Sequence, residues 1–245
     1  MENNANNGHE AYDDQVIFVD THLIQKAVEG LQRSREEFQS LLEQAEGGDP
    51  AAYYDLGVRY AEGDGAERDP ARAAHWFSLA AEDGDLRAVD LLGRCYQAGS
   101  GVEKDEARAA ECYLQAAEQG YAPGQTNLAV CYFNGIGVEQ SVDTALQWLE
   151  KAVEQEFPRA LNILGDCYWD GTGVERDRAR SARLYRQAAD QGYPPAQCNL
   201  GLCYEHGDGV EMDKETAAEY YRQAAQEGYA PGQTNLAVLT LHGVG

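Results

Sequence analysis

The side chains able to do chemistry in this chain are six cysteines, five histidines and a large excess of carboxylates. Thiols and imidazoles can bind zinc, form disulfides or activate a nucleophile when they meet at suitable spacing. Their spacing here argues against all three. Cys95, Cys131, Cys167 and Cys203 recur every 36 residues, so they occupy one position of a repeated unit. Equivalent positions in stacked helices lie roughly 10 Å apart, beyond the roughly 7 Å that a disulfide tolerates between Cα atoms. Cys112 and Cys198 have no evident partner, and no Cys-x-x-Cys or zinc-spaced Cys/His set is present. Buried, reduced thiols are expected, which suits a reducing compartment. His9, His22, His75, His206 and His242 form no His-Glu-x-x-His motif. His206 and His242 share a repeat position, where a surface role fits better than a ligand role. Serine, cysteine and histidine are too scattered for a triad. The expectation is no catalytic residue, no cofactor and no metal.

The glycines could suggest phosphate binding. Gly63/Gly65, Gly99/Gly101, Gly135/Gly137, Gly171/Gly173 and Gly207/Gly209 recur with the same step of 36. No third glycine follows at dinucleotide spacing and no Lys-Ser/Thr of a phosphate loop follows, so a structural turn is the better reading. The same step carries Gly57, Gly93, Ala129, Gly165, Gly201 and Ala237. A fixed period of this size means stacked supersecondary units.

Each unit has one grammar. A first helix carries Ala52, Leu56, Gly57 and Tyr60 on one face. Glycine inside a helix costs about 1 kcal/mol relative to alanine, so its recurrence needs a packing reason. The Gly-x-Gly turn follows, then an N-cap at Asp69, Asp105, Ser141, Asp177 or Asp213. A second helix carries small and aromatic residues, as at Ala74, Trp76, Phe77, Ala80 and Ala81, and Trp76 and Trp148 read as packing residues. Glycine then ends it at Gly84, Gly120, Gly192 and Gly228. Glu156 stands at that place in the third unit and predicts a less sharp helix end.

The expected architecture is all-α, an α/α solenoid with units at 51–86, 87–122, 123–158, 159–194 and 195–230 and a partial unit at 231–245. Residues 1–20 read as a flexible polar tail, and 21–50 as N-terminal capping helices over the first unit. Gly243 and Gly245 keep the turn glycines with nothing after them, which favours a chain cut from a longer one. Gly120–Val130 and Gly228–Val238 are identical, as whole-unit duplication would leave them. No secretory signal or membrane-spanning stretch is visible, and the expected location is cytoplasmic. The net charge of −23 disfavours nucleic acid, whose phosphates need basic contacts, and anionic membranes. It allows basic partners and keeps an exposed solenoid soluble.

These residues resemble the Sel-1-like repeat family of tetratricopeptide-like solenoids. The match lies in Leu92, Gly93, Tyr96, Gly99, Gly101, Val102, Asp105, Tyr113, Ala116, Ala117 and Gly120 and in their counterparts across about 51–245. The resemblance implies a right-handed superhelix used as an adaptor. Some relatives are cysteine-rich and bind or cleave β-lactams, with cysteines pairing helices within a unit. The corresponding places here are Ala81, Ala117, Val153, Ala189 and Ala225, which does not support that subgroup. A regulatory module of a larger enzyme is a further alternative.

Three columns of the first helix lie away from its buried face and vary freely. In tetratricopeptide-like folds that face lines the concave groove. One column holds Tyr54, Asp90, Thr126 and Asn162, the next Val58, Arg94, Val130, Asp166 and Leu202, the third Gln97, Phe133, Trp169 and Glu205. Val130, Phe133, Trp169 and Leu202 would be apolar on a face with no core to fill. The partner expected is a protein or peptide with an apolar anchor and a polar or basic group.

Overall fold

Thr21–Glu46 forms one long helix, α1, whose second half is amphipathic, burying Phe38 and Ala45. The computed structural model describes residues 21–243, so the tail at 1–20 and the last two residues lie outside the described part. The capping segment expected over 21–50 is therefore a single helix, followed by a 3₁₀ turn at Pro50–Ala52. Two-helix units follow. The first helices are α2 (Tyr53–Glu62), α4 (Leu86–Ala98), α6 (Ala122–Asn134), α8 (Pro158–Asp170), α10 (Pro194–His206) and α12 (Ala230–Leu241). The second helices are α3 (Pro70–Glu82), α5 (Glu106–Glu118), α7 (Val142–Glu154), α9 (Arg178–Ala189) and α11 (Lys214–Gln226). Every regular element among the described residues is helical.

The turns close as their residue types require. Gly63, Gly99, Gly135, Gly171 and Gly207 end the first helices in the left-handed conformation, each N–H donating to the carbonyl four residues back. The chain then doubles back. The N–H of Asp69 donates to the Tyr60 carbonyl at 2.9 Å, and the same bond recurs from Asp105 to Tyr96, Ser141 to Tyr132, Asp177 to Tyr168 and Asp213 to Tyr204. Those five side chains also cap the second helices, as expected.

The glycine within the first helix has a specific reason. A Cβ at Gly57 would lie 2.6 Å from the Phe77 ring, and Gly93, Gly165 and Gly201 would collide in the same way with Tyr113, Tyr185 and Tyr221. The unit with Ala129 instead carries Leu149 at the ring position, and both are fully buried. Glycine is therefore matched to an aromatic ring and alanine to leucine.

The expected blunt end of α7 is not found. The helix stops at Glu154 like its counterparts, because Glu156 itself takes the left-handed conformation at φ 56°. An L-residue with a Cβ pays about 1–2 kcal/mol there. Glu156→Gly should therefore raise stability by about 1 kcal/mol, read as a higher urea midpoint with unchanged slope. A fall would show that the Glu156 side chain supplies an unseen contact.

Trp76 and Trp148 are half-buried packing residues, Trp76 against Tyr53 of its own unit with ring centroids 5.6 Å apart. All six thiols are free. Burial pushes the Cys112, Cys131 and Cys167 thiols up to about 11 and Cys203 to about 12, so they stay protonated at neutral pH and unreactive in the folded chain.

Candidate functional site

Successive first helices touch across three of the unit boundaries, α6 with α8, α8 with α10 and α10 with α12. The layer whose members lie closer together is the inner one of a curved stack. The inner side of this layer is the expected place of the variable columns.

Thr126 does not reach that surface. It is fully buried, and its hydroxyl donates to the Ala122 carbonyl at 2.8 Å. Asp90 and Asn162 are each only 7% exposed. Each accepts a hydrogen bond from the following unit, and Asn162 also donates to Asp166 of its own helix. Tyr54 is half-buried with the Arg87 guanidinium stacked 3.9 Å from its ring centre. Val58 and Arg94 line a recess of about 390 Å³ between α2 and α4, with Ala61, Phe77 and Leu91. Val130, Phe133, Trp169 and Leu202 are half-buried, with Phe133 and Trp169 packed against one core cluster and Leu202 against another. Trp169 is stacked by Arg178 at 4.3 Å.

Tyrosines of the second helices reach through to this face. Tyr113 donates its hydroxyl to Gln97 Oε1 at 3.0 Å and Tyr221 to Glu205 Oε2 at 2.7 Å. Tyr185 donates to Asp166 Oδ1 at 2.7 Å. The ring that excludes a Cβ at the helix glycine thus also delivers a donor to the groove.

One column was missed in the sequence. Asn127, Asn199 and Asn235 each reach back to the preceding unit, 37 residues earlier. Asn127 donates to Asp90 Oδ1 at 2.7 Å, Asn199 to Asn162 Oδ1 at 3.0 Å and Asn235 to Cys198 Sγ at 3.4 Å. Arg159 donates in turn to Asn127. The signal was present as a recurrent asparagine beside the variable column, in a helix interior where asparagine is not favoured. Gln125 was also missed. It is buried, donates to the Ala117 carbonyl at 3.2 Å and accepts from Gln155 at 2.9 Å, joining adjacent units.

The two inner-face aspartates differ in electrostatics. Burial raises the pKa of both. At Asp90 the Asn127 bond and the positive charges of Arg94 and Arg159 oppose the shift. At Asp166 the Tyr185 bond opposes it, and the nearby Asp170 adds to it. Among the described residues no three potential metal ligands gather at one point, and His75, His206 and His242 lie exposed and apart.

A family profile described as Sel1 repeat matches residues 50–85, 87–121, 122–157, 158–193 and 194–229. The register agrees with the 36-residue units read from the sequence to within one or two residues. Among solved structures, the Sel1 repeat protein from Oxalobacter formigenes is 29% identical, with 89% of this chain and 87% of that one covered and a TM-score of 0.72. The protein c5321, a protective antigen present in uropathogenic Escherichia coli strains with an SLR fold, is 33% identical over 92% of this chain, with a TM-score of 0.68. This chain spans 52% of its length. The immunity protein Pa5087 from Pseudomonas aeruginosa is 26% identical, with 75% of this chain and 67% of that one covered and a TM-score of 0.58. No functionally curated protein matches the chain.

Proposed function

The chain belongs to the Sel1 repeat family, and we propose that it works as a non-catalytic scaffold that holds a protein or peptide segment along its inner face. Sel1 repeats commonly serve as protein-interaction modules. One observation carries the reading. Val130, Phe133, Trp169 and Leu202 stand half-buried on the inner layer, at repeat positions occupied elsewhere by Arg94, Gln97, Asp166 and Glu205. The stack tolerates any of these residues, so their apolar character in the middle units is free to serve a ligand. Free, protonated thiols fit a reducing location such as the cytoplasm, and among the described residues no helix is long and apolar enough to cross a membrane.

Affinity capture from the native cell, comparing the wild type with Phe133→Ala/Trp169→Ala, tests the proposal. Recovery of specific partners should fall by about tenfold or more, the loss typical of truncating central anchors. Equal recovery from a folded variant would remove the inner face as the binding surface.

A further inference from the structure

We propose that Asp166 is the anchor for a cationic side chain, lysine or arginine, of the segment held on the inner face. This rests on the groove reading above and adds the chemistry of one contact.

Asp166 is half-buried, and its oxygens are met by neutral donors alone. Oδ1 accepts from Tyr185 at 2.7 Å and Asn199 at 3.3 Å, and Oδ2 accepts from Asn162 at 3.2 Å. Those bonds fix the carboxylate in orientation without neutralising it. No ion pair reaches it among the described residues. Asp170, one turn on along α8, adds a like charge. Asp90 shows what compensation looks like in this stack, for Arg94 and Arg159 lie close enough to favour its charged form. Arg178 of the neighbouring α9 stacks on Trp169 and pairs with Asp208 rather than with Asp166.

Its surroundings suit an organic cation. Trp169 lies one helical turn away on the same helix, at the spacing that places side chains side by side. Leu202 occupies the same column in the next unit. Tyr193 and Tyr229, at the starts of α10 and α12, have phenol pKa values raised mainly by burial, with a smaller contribution from the Asp166 charge. Carboxylate, aromatic rings and aliphatic surface together match the ammonium or guanidinium head and the methylene stem of a basic side chain. The occupant that complements this point is a polypeptide segment carrying a basic residue beside an apolar one.

The test uses dodecapeptides selected from a random display library on the immobilised wild-type chain. Lysine or arginine should be enriched beside a bulky apolar residue. Asp166→Asn keeps the shape and should weaken these peptides by about tenfold, the size of a charge-assisted contact. Replacing the basic residue of the peptide by norleucine should weaken wild-type binding equally and leave Asp166→Asn binding unchanged. A merely structural role of Asp166 would not produce that coupling. Peptides lost on Trp169→Ala but indifferent to Asp166→Asn and to norleucine would overturn the cation anchor and leave the groove standing. Peptides indifferent to every inner-face variant, or a library with no enriched binder, would count against the groove itself.

Discussion

Gly137→Ala should destabilise the solenoid by about 3–4 kcal/mol, while Gly135→Ala, two residues earlier in the same turn, should cost only about 1–2 kcal/mol. Both glycines have nearly the same positive φ, 69° at Gly135 and 68° at Gly137, so the left-handed penalty for an added Cβ is shared. What differs is the space. A Cβ at Gly135 would meet nothing closer than the Gln140 Cβ at 3.5 Å, whereas one at Gly137 would overlap the Glu106 carbonyl and the following peptide bond. Glu106 opens α5, the second helix of the preceding unit, so the obstacle is backbone and cannot rotate away. Gly101 stands in the same relation to Pro70 and Gly209 to Arg178. Three units thus set the opening turn of their predecessor's second helix directly against their own second turn glycine. In a stack held by nearest-neighbour interfaces, moving that contact weakens one junction rather than one unit. Urea unfolding followed by circular dichroism should show a much lower midpoint for Gly137→Ala, with a broadened or split transition as the halves uncouple. Equal losses for the two variants would mean that the turn glycines serve only their own backbone angles.

That distinction marks where the sequence stops being informative. Glycines at 63, 65 and their counterparts announce a turn of fixed geometry, and the capping aspartates after them announce the next helix. Both were legible because the cause is local. The reason for the second glycine is the neighbouring unit, which no local pattern displays. α1 shows this most directly. Gly65 lies against the Ser34 carbonyl, with a virtual Cβ 2.5 Å away, and Phe38 meets Tyr60 edge-on at 5.1 Å. α1 therefore fills the place of a second helix before the first unit. The register agrees, for Leu41 lies 36 residues before Phe77 and Ala45 lies 36 before Ala81.

The inner face was legible in outline and not in detail. Counting columns that vary picks out positions free of the repeated packing face, since residues that pack alike must repeat and the others need not. It could not separate Thr126, whose hydroxyl turns back to its own helix, from Val130 one turn later. Nor could it find the asparagines at 127, 199 and 235, because their partners lie one unit and one residue away, a relation visible only when the helices are stacked. Glu156 is the opposite case. A missing glycine suggests a changed helix end, yet the chain makes the same turn with Glu156 in the left-handed conformation.

The pairing of glycine with aromatic and alanine with leucine was present in the sequence unread, and it yields the second large effect. Gly57→Ala should lower stability by about 2 kcal/mol, the cost of forcing a methyl group into a packed ring less the gain in helix propensity. The Phe77 ring is 3% exposed, and two of its carbons would lie 2.6 Å from the new Cβ. The ring cannot swing out without abandoning the contact between α2 and α3. Phe77→Leu alone should also destabilise, by about 1–2 kcal/mol, through the space it leaves. The double variant Gly57→Ala/Phe77→Leu recreates the pair that this chain already uses at Ala129 and Leu149, both fully buried. It should recover most of the loss, with a coupling energy of about 1–3 kcal/mol in a double-mutant cycle. Phe77 carries no hydroxyl, so the cycle is free of the hydrogen bonds that Tyr113, Tyr185 and Tyr221 make to the inner face. Additive losses would show that the two positions vary independently and that the glycine is there for some reason other than the ring.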